Sequence, residues 1–132
     1  MELNKVVKKT QYTLPIITDV LRRRKGSEFL TKLDISMMFY TFALDEEAQK
    51  MCTIVTPFGP FKCNKIPMGL VNSPAFAQAR MEEVLRGIDD TEVYIDGIGV
   101  FSNSRDSHIS KLDVILGKLE ENNFIINPRK CE

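Results

Sequence analysis

The apolar positions along the chain predict helices that alternate with short strands. A first helix is expected to begin at Pro15, since proline suits the first helical position, and to end before Gly26. Within residues 29–35, Phe29, Leu33 and Ile35 are typical of a buried strand, with Asp34 near its C-terminal end. A carboxylate at that position is expected to need a partner if it is buried.

The middle of the chain predicts a hairpin followed by a helix. Residues 50–56 and 61–66 are strand candidates on either side of the turn sequence PFGP. Ser73 is suited to cap a helix, Pro74 to its first position, and Gly87 to its end. The apolar residues that recur at helical spacing along this segment are Ala77, Met81, Val84, Leu85 and Ile88.

The last third of the chain predicts a second hairpin, a helix and a final strand. Residues 91–101 contain two short apolar runs joined by Asp96 and Gly97, a dipeptide typical of two-residue turns because glycine tolerates positive φ. Residues 106–119 have helical spacing, and the FII sequence at 124–126 predicts a short strand. These elements predict an α+β fold in which two or three helices pack on a small, mostly antiparallel sheet.

Composition narrows the class of protein. With 132 residues, of which 43% are hydrophobic, the chain is long enough for one globular domain and is not typical of disorder or a coiled coil. Eighteen basic and eighteen acidic side chains cancel, so net charge does not indicate a nucleic-acid partner, although a local basic patch could bind one. No apolar run approaches the roughly 20 residues that span a bilayer, which predicts a soluble intracellular chain without a membrane partner.

Cysteine and histidine give little support for a metal site. Cys52, Cys63 and Cys131 lack the spacing of a zinc site or a disulfide framework and are expected to be reduced thiols. Cys52 and Cys63 could face each other across the first hairpin as small apolar side chains. His108, the single histidine, is expected on the surface in the first turn of the last helix.

Asp34 and Asp96 are the two acids most suited to converge, because each follows an apolar strand of one predicted sheet. Two carboxylates on adjacent strands can chelate Mg²⁺, which keeps several waters and binds substrate phosphates. Such a pair suits phosphoryl or nucleotidyl transfer at a two-metal site. The alternative from spacing alone is that Asp34 ends a strand and Asp96 opens a turn.

Seven collinear segments resemble the fingers and palm of reverse transcriptases from gypsy-type LTR retrotransposons. They are ELNKVVKKTQYTLP, FLTKLDIS, TPFGPFKCNKIPMGLVNSPAFAQ, EVLRGI, VYIDGIGVFS, SHISKL and INPRKC, and they cover almost the whole chain. The resemblance implies one truncated reverse transcriptase domain over residues 1–132, with partial fingers at 1–28 and 45–72 and palm at 29–44 and 73–132. The upstream fingers strands, the thumb and the ribonuclease H domain are expected to be absent from these residues.

The resemblance also implies roles for individual residues. Asp34 and Asp96 correspond to catalytic carboxylates that bind Mg²⁺ or Mn²⁺, and the Ile35 carbonyl is a possible further metal ligand. Tyr94 corresponds to the tyrosine of the family's Y-x-D-D hairpin and is expected near nucleic acid. Phe39 corresponds to the aromatic residue that packs under the nucleotide sugar and excludes a 2′-hydroxyl, and a core aromatic is a compatible reading.

The segment around the IPMG sequence is expected to face the substrates, which the resemblance implies are an RNA or DNA template-primer and a dNTP. Met68 and Gly69 match positions near the incoming nucleotide, and Ser73 and Pro74 match positions near the template. A turn that leads into a capped helix accounts for the same residues, and both readings can hold together.

Gly97 departs from the family pattern, because this chain has glycine where the family has the second aspartate of Y-x-D-D. Two of three metal-site carboxylates then remain, and we expect weak metal binding and a loss of at least roughly two orders of magnitude in rate. The alternative function is a non-catalytic module that retains the palm fold to bind nucleic acid or protein.

Basic residues near the start of the chain could contact a nucleic-acid backbone. Lys5, Lys8 and Lys9 form one group, and residues 22–25 form a second at the end of the first helix. Cations in the last turn of a helix also complement its dipole, and charge runs are usually solvated faces, so both readings stand.

Overall fold

The computed structural model describes residues 3–132, and these form an α+β fold, as predicted. Short 3₁₀ helices lie at Met38–Thr41 and Pro128–Lys130. The α-helices are α1 (Leu3–Val6), α2 (Ile17–Arg23), α3 (Glu46–Met51), α4 (Ser73–Val84) and α5 (Arg105–Glu121). The strands are β1 (Phe29–Ser36), β2 (Thr53–Thr56), β3 (Gly59–Lys62), β4 (Thr91–Tyr94), β5 (Gly97–Ser102) and β6 (Ile125–Ile126).

The main sheet has the strand order β4-β5-β1-β6, and each neighbouring pair is antiparallel. β1 lies inside the sheet, with β5 on one side and β6 on the other. The segment after β6 continues along β1, since Asn127 N donates to Asp34 O (2.8 Å) and Lys32 N donates to Glu132 O (2.8 Å). The strand that carries Asp34 is therefore held along both edges.

The core lies between the main sheet and helices α4 and α5. Leu33 and Ile35 of β1 are buried in it, and Asp34 between them is directed to the opposite face because side chains alternate along a strand. Met81 of α4, Ile98 of β5 and Ile115 of α5 are fully buried at 0% exposure. Burial of each such side chain stabilises the fold by roughly 1.5–3 kcal/mol. No helix within residues 3–132 is long and apolar enough to cross a membrane.

The β2–β3 hairpin forms a separate two-stranded sheet. The predicted strand at 50–56 is wrong at its start, because residues 50 and 51 belong to α3. Asp45 caps that helix by accepting a hydrogen bond from Ala48 N (2.7 Å), and this local capping bond favours a helical turn. The strand predicted at 61–66 is also shorter, since β3 ends at Lys62.

Cys52 and Cys63 flank this hairpin and lie opposite each other, as the sequence suggested. Cys63 N donates to Cys52 O (2.8 Å), in register with the adjacent pair Thr53 and Lys62. Both are free thiols. Burial raises the pKa of the Cys52 thiol, and the neighbouring Cys63 adds to the rise.

The ends of two helices differ from the capping patterns. Helix α2 begins at Ile17, two residues after Pro15. Helix α4 has Asn72 as its N-cap, so Ser73 is its first residue and not its cap. Ser73 is buried, and its hydroxyl donates to Pro67 O (3.2 Å). The serine therefore joins the preceding turn to the helix.

His108 is buried, so the prediction of a surface histidine is wrong. Its Nε2 lies 2.8 Å from Thr31 Oγ1, and its ring centroid lies 6.0 Å from that of Phe29. Thr31 and Phe29 both belong to β1, so the first turn of α5 packs against the central part of the sheet. The sequence pattern did not reveal this long-range contact.

Candidate active site at the β4–β5 hairpin

The β4–β5 turn is formed by Ile95 and Asp96, because Tyr94 and Gly97 are paired across the strands. The predicted turn at Asp96 and Gly97 is therefore displaced by one residue. The positive φ belongs to Ile95 (53°), and Gly97 is the first residue of β5. Asp96 consequently occupies the second position of the turn.

Gln78 of α4 holds this turn from the core side of the sheet. Ile95 N donates to Gln78 Oε1 (2.6 Å), and Gln78 Nε2 donates to Val93 O (2.9 Å). Positive φ is unusual for a β-branched residue, so these bonds account for the displaced turn better than the local sequence does. Sequence reasoning missed Gln78, although a polar residue among the apolar positions of a helix was a usable signal.

Asp34 and Asp96 meet at this turn. Asp34 lies directly opposite Gly97 in the β1–β5 pair, and Ile35 N donates to Asp96 O (2.7 Å). Both acids line one cleft of about 340 Å³ on the sheet face away from α4 and α5. The other residues that line it include Leu30, Lys32, Glu92, Tyr94, Gly97 and Phe101. Two acids distant in sequence therefore share one cleft.

The surroundings of the two carboxylates differ. The Asp34 side chain is 16% exposed, and its Oδ2 lies 3.6 Å from Lys130 Nζ. Asp96 is exposed at the hairpin tip. Lys130 is itself largely exposed, so this ion pair is a weak constraint on the position of Asp34. Sequence reasoning did not single out Lys130, although it lies in the INPRKC segment.

Asp34 and Asp96 are two residues of this cleft whose side chains could hold a divalent cation. Mg²⁺ is commonly bound by one or two carboxylates together with waters and phosphates. Asp34 and Asp96 supply two carboxylates, and the Ile35 side chain is buried in the core, so its backbone carbonyl is the group that could serve. Among the described residues, no group of three or more His, Cys, Asp or Glu side chains is placed to hold a metal.

Position 97 has room for a larger residue. A β-carbon added there would meet Tyr94 O at 3.4 Å, which is ordinary contact, and the backbone of Gly97 is not in the left-handed region. The hairpin therefore does not require glycine at this position. The sequence-based expectation that Gly97 serves the turn is wrong, because Ile95 carries the positive φ.

The residues predicted to lie near the nucleotide or the template do not line this cleft. Phe39, in the Met38–Thr41 turn, packs partly buried against the core and is not among the residues that line the cleft. Met68 and Gly69 are exposed, and Gly69 O accepts a hydrogen bond from Asn4 Nδ2 (2.7 Å). Pro74 is half-buried in the first turn of α4.

The N-terminal lysines are on the surface. Lys5, Lys8 and Lys9 are exposed, and Lys8 and Lys9 line a groove with Thr10 and Gln11. Asn72 fixes the backbone of this segment by donating to Lys8 O (2.9 Å). The groove is therefore attached to the start of α4.

The arginines at the end of α2 are paired with acids of the same chain. Arg24 lies closest to the sheet, with Nη1 2.6 Å from Asp90 Oδ1 and Nη2 2.9 Å from Glu92 Oε1. These contacts favour a structural role for the second basic group over contact with a nucleic-acid backbone. The remaining pairs are Arg22 with Asp19 (2.8 Å) and Arg23 with Glu92 (3.5 Å).

Comparison with protein families gives a match over the full length of the chain. The family model described as reverse transcriptase (RNA-dependent DNA polymerase) matches residues 1–132. The chain is 32% identical over 132 residues to the Transposon Tf2-7 and Tf2-8 polyproteins of Schizosaccharomyces pombe. The match covers 98% of this chain and 10% of each polyprotein, so the chain spans about a tenth of their length.

Solved structures share the fold. The foamy viral protease-reverse transcriptase in complex with RNA/DNA hybrid superposes with a TM-score of 0.91 at 21% identity, over 98% of this chain and 18% of that one. The same viral protein in complex with double-stranded DNA gives a TM-score of 0.91 at 21% identity, over 99% of this chain and 28% of that one. At this identity the likeness supports the architecture.

Proposed function

Because the chain belongs to the reverse transcriptase (RNA-dependent DNA polymerase) family, we propose that it is the polymerase core segment of a gypsy-type retrotransposon polyprotein. Its reaction is nucleotidyl transfer, weakened by the glycine at position 97. The observation that carries this proposal is the shared cleft of Asp34 and Asp96, where the residue after Asp34 is bonded to Asp96 (Ile35 N to Asp96 O, 2.7 Å).

Asp34 and Asp96 hold Mg²⁺ or Mn²⁺ in this proposal, with the Ile35 carbonyl as a further oxygen donor. The bound cation would neutralise a triphosphate and favour loss of the proton from the primer 3′-hydroxyl. Gly97 lies directly opposite Asp34 and offers no side-chain oxygen, so the ligand set is one carboxylate short of the family pattern. Nucleotidyl transfer depends on this set because positioning and charge stabilisation supply most of its catalysis.

The substrates in this proposal are a template-primer and a dNTP. Phe39 supports the nucleotide sugar, and Met68 and Gly69 lie beside the nucleotide on an exposed turn. Tyr94 lines the cleft and is 40% exposed, so its ring is accessible to nucleic acid. The template passes near the start of α4, where Pro74 is half-buried and the buried Ser73 positions the helix.

Primer extension tests this function. The chain, its Gly97→Asp variant and its Asp34→Asn variant are compared on a poly(A) template with an oligo(dT) primer, in Mg²⁺ and in Mn²⁺. We expect the glycine form to extend more slowly than Gly97→Asp by at least about two orders of magnitude, and Asp34→Asn to be inactive. Equal extension by the glycine and aspartate forms would contradict the role given to position 97.

A second candidate function is nucleic-acid binding without catalysis. Lys8, Lys9, Thr10 and Gln11 line an exposed groove that does not include either acid of the cleft. Binding at this groove depends on salt and on the two lysines, because phosphate contacts release counterions. Affinity for RNA/DNA hybrid that needs Mg²⁺ and is lost in Asp34→Asn would favour the catalytic function instead.

A further inference from the structure

Gln78 is a fully buried polar residue at the centre of α4. It is 0% exposed, and each polar atom of its carboxamide has a partner. Nε2 donates to Val93 O (2.9 Å) and to Glu82 Oε1 (2.7 Å), and Oε1 accepts from Ile95 N (2.6 Å). A buried polar group with a complete set of partners is a strong local constraint.

The three partners determine the orientation of this carboxamide. Ile95 N–H requires an acceptor, while the Val93 carbonyl and the Glu82 carboxylate each require a donor. A carboxamide rotated by half a turn would place like groups against all three. Gln78 therefore joins the last residues of β4 to the turn in one arrangement.

The turn that Gln78 holds has an unfavourable backbone. Ile95 has φ of 53°, a conformation that β-branched residues rarely adopt. Strained residues of this kind persist when surrounding contacts over-determine them, and they cluster at functional sites. The hydrogen bond from Ile95 N to Gln78 is a contact of that kind, and the next residue is Asp96.

Glu82 extends the arrangement to the N-terminal segment. It lies one helical turn after Gln78, and its second carboxylate oxygen accepts a hydrogen bond from the Tyr12 hydroxyl. The sequence of contacts runs from Tyr12 through Glu82 and Gln78 to Ile95. The position of the turn is thus tied, through Gln78 and Glu82, to α4 and to the N-terminal segment that contains Tyr12.

We propose that Gln78 is a positioning residue for the metal site: its carboxamide holds the Ile95–Asp96 turn so that Asp96 opens onto the same cleft as Asp34. The proposal rests on the metal-binding role given to the two acids above. Gln78 is not among the residues that line the cleft. It acts through the backbone of Ile95, and Glu82 orients its carboxamide.

A glutamine that served the core alone would have a different effect. Its loss would lower the stability of the whole fold and leave the metal affinity of the folded chain unchanged. A positioning residue, in contrast, alters the turn and the metal affinity in protein that remains folded. These two readouts separate the roles.

The test compares Gln78→Met with the unaltered chain. Methionine has a similar length and suits a buried site, but it neither accepts from Ile95 N nor donates to Val93 O. Gln49→Met is the matched control, since Gln49 Nε2 also donates to a backbone carbonyl, that of Leu44 (2.8 Å), but on α3. Glu82→Ala is a second variant at an exposed position, for use if Gln78→Met does not fold.

Two measurements are made on each folded variant, amide hydrogen exchange by NMR and Mn²⁺ affinity by electron paramagnetic resonance. We expect Gln78→Met to speed exchange at Gly97, whose amide does not bond to Gln78, by at least about tenfold relative to amides of β1. We also expect Mn²⁺ affinity to fall by about 10-fold, the lower end for loss of an outer partner of a metal site. Glu82→Ala is also expected to speed exchange at Gly97 and to lower Mn²⁺ affinity, each by a smaller factor.

Unchanged exchange at Gly97 in Gln78→Met overturns the proposal, and so does faster exchange with unchanged Mn²⁺ affinity. Changes of equal size in Gln49→Met also overturn it. Failure of the proposed function is recognised separately, because the unaltered chain would then bind Mn²⁺ no better than Asp34→Asn does. In that case the exchange result alone decides whether Gln78 positions the turn.

Discussion

Asp34 and Gly97 lie directly opposite each other in the antiparallel pair of β1 and β5. Side chains at opposed positions of such a pair lie on one face, with β-carbons about 4.5–5.5 Å apart. The glycine thus stands at the position from which a side chain would reach Asp34 most directly. With glycine at position 97 no side chain of β5 lies directly opposite Asp34, although the backbone there does not require glycine.

Replacing Gly97 with aspartate is expected to leave the fold intact and to strengthen metal binding. The new β-carbon has ordinary contact with Tyr94 O at 3.4 Å, so the fold has room for it. Like charges directly opposite each other are destabilising, so the unfolding temperature should fall modestly without Mn²⁺ and recover when Mn²⁺ is added. A third carboxylate should raise Mn²⁺ affinity by at least about tenfold, the lower end of what even an outer partner of a metal site contributes. Isothermal titration calorimetry of Gly97→Asp measures the gain.

Gly99→Asp is the matched control for that prediction. Gly99 lies on the same face of β5, but a β-carbon there would meet Phe101 Cε2 at 3.0 Å, which is a tight contact. We expect this variant to be destabilised and to show no gain in Mn²⁺ affinity. A similar gain in both variants would mean that added charge, and not the position opposite Asp34, is responsible.

Replacing Lys8 and Lys9 with alanine is expected to weaken nucleic-acid binding in a salt-dependent way. Each phosphate contact contributes about 0.7–0.9 to the slope of log affinity against log salt, so the double variant should lose up to about 1.8 of that slope. Fluorescence anisotropy with an RNA/DNA hybrid at several salt concentrations measures it. Lys118→Ala, on α5, is the control and should retain the slope.

Tyr12 is expected to ionise at a higher pH than a free tyrosine. The hydrogen bond to Glu82, together with burial and the charge of that carboxylate, raises the pKa of Tyr12 from 10.0 to about 12. Because the pKa of Tyr12 is raised in the folded state, its protonated hydroxyl stabilises the fold below pH 10.0. This contribution is lost as pH rises towards about 12. The difference in tyrosinate absorbance between the chain and Tyr12→Phe follows this ionisation, and Glu82→Gln should shift it to lower pH.

The packing of α5 predicts that two of its isoleucines differ strongly in their contribution to the free energy of unfolding. Ile115 is 0% exposed, so Ile115→Ala should lower the free energy of unfolding by about 2–5 kcal/mol. Ile109 is 51% exposed, so Ile109→Ala should change it by no more than about 0.5 kcal/mol. Urea denaturation of both variants makes the comparison, and equal losses would contradict the described packing.

The fold class and the longer elements were accessible from the sequence because their signals are local. The helical spacing of apolar residues in α4 and α5 and the apolar residues of β1 each lie within one segment, and the structure contains all three elements. The convergence of Asp34 and Asp96 also followed, since both were expected at the ends of strands in one sheet. Their catalytic roles remain predictions.

The errors arose where distant contacts outweigh local preference. Asp96 and Gly97 have the composition of a two-residue turn, but Gln78 bonds to Ile95 and moves the turn back by one residue. His108 has the local pattern of an exposed first turn, but Thr31 of β1 meets it. A single sequence contains no direct sign of such pairings, which depend on how helices dock on the sheet.

The connection of β1 to residues near the C-terminus has a consequence for the order of folding during synthesis. Asp34 is on an early strand, yet Asn127 N and Glu132 O bond to β1 at Asp34 and Lys32. Contacts between segments so distant in sequence form slowly, and chains fold from the N-terminus as they leave the ribosome. A nascent chain therefore displays the strand of Asp34 with both edges unpaired until β5 is made, and with the edge facing β6 unpaired until translation has passed residue 132. During that interval the unpaired N–H and C=O groups of this edge are open to pairing with other polypeptides.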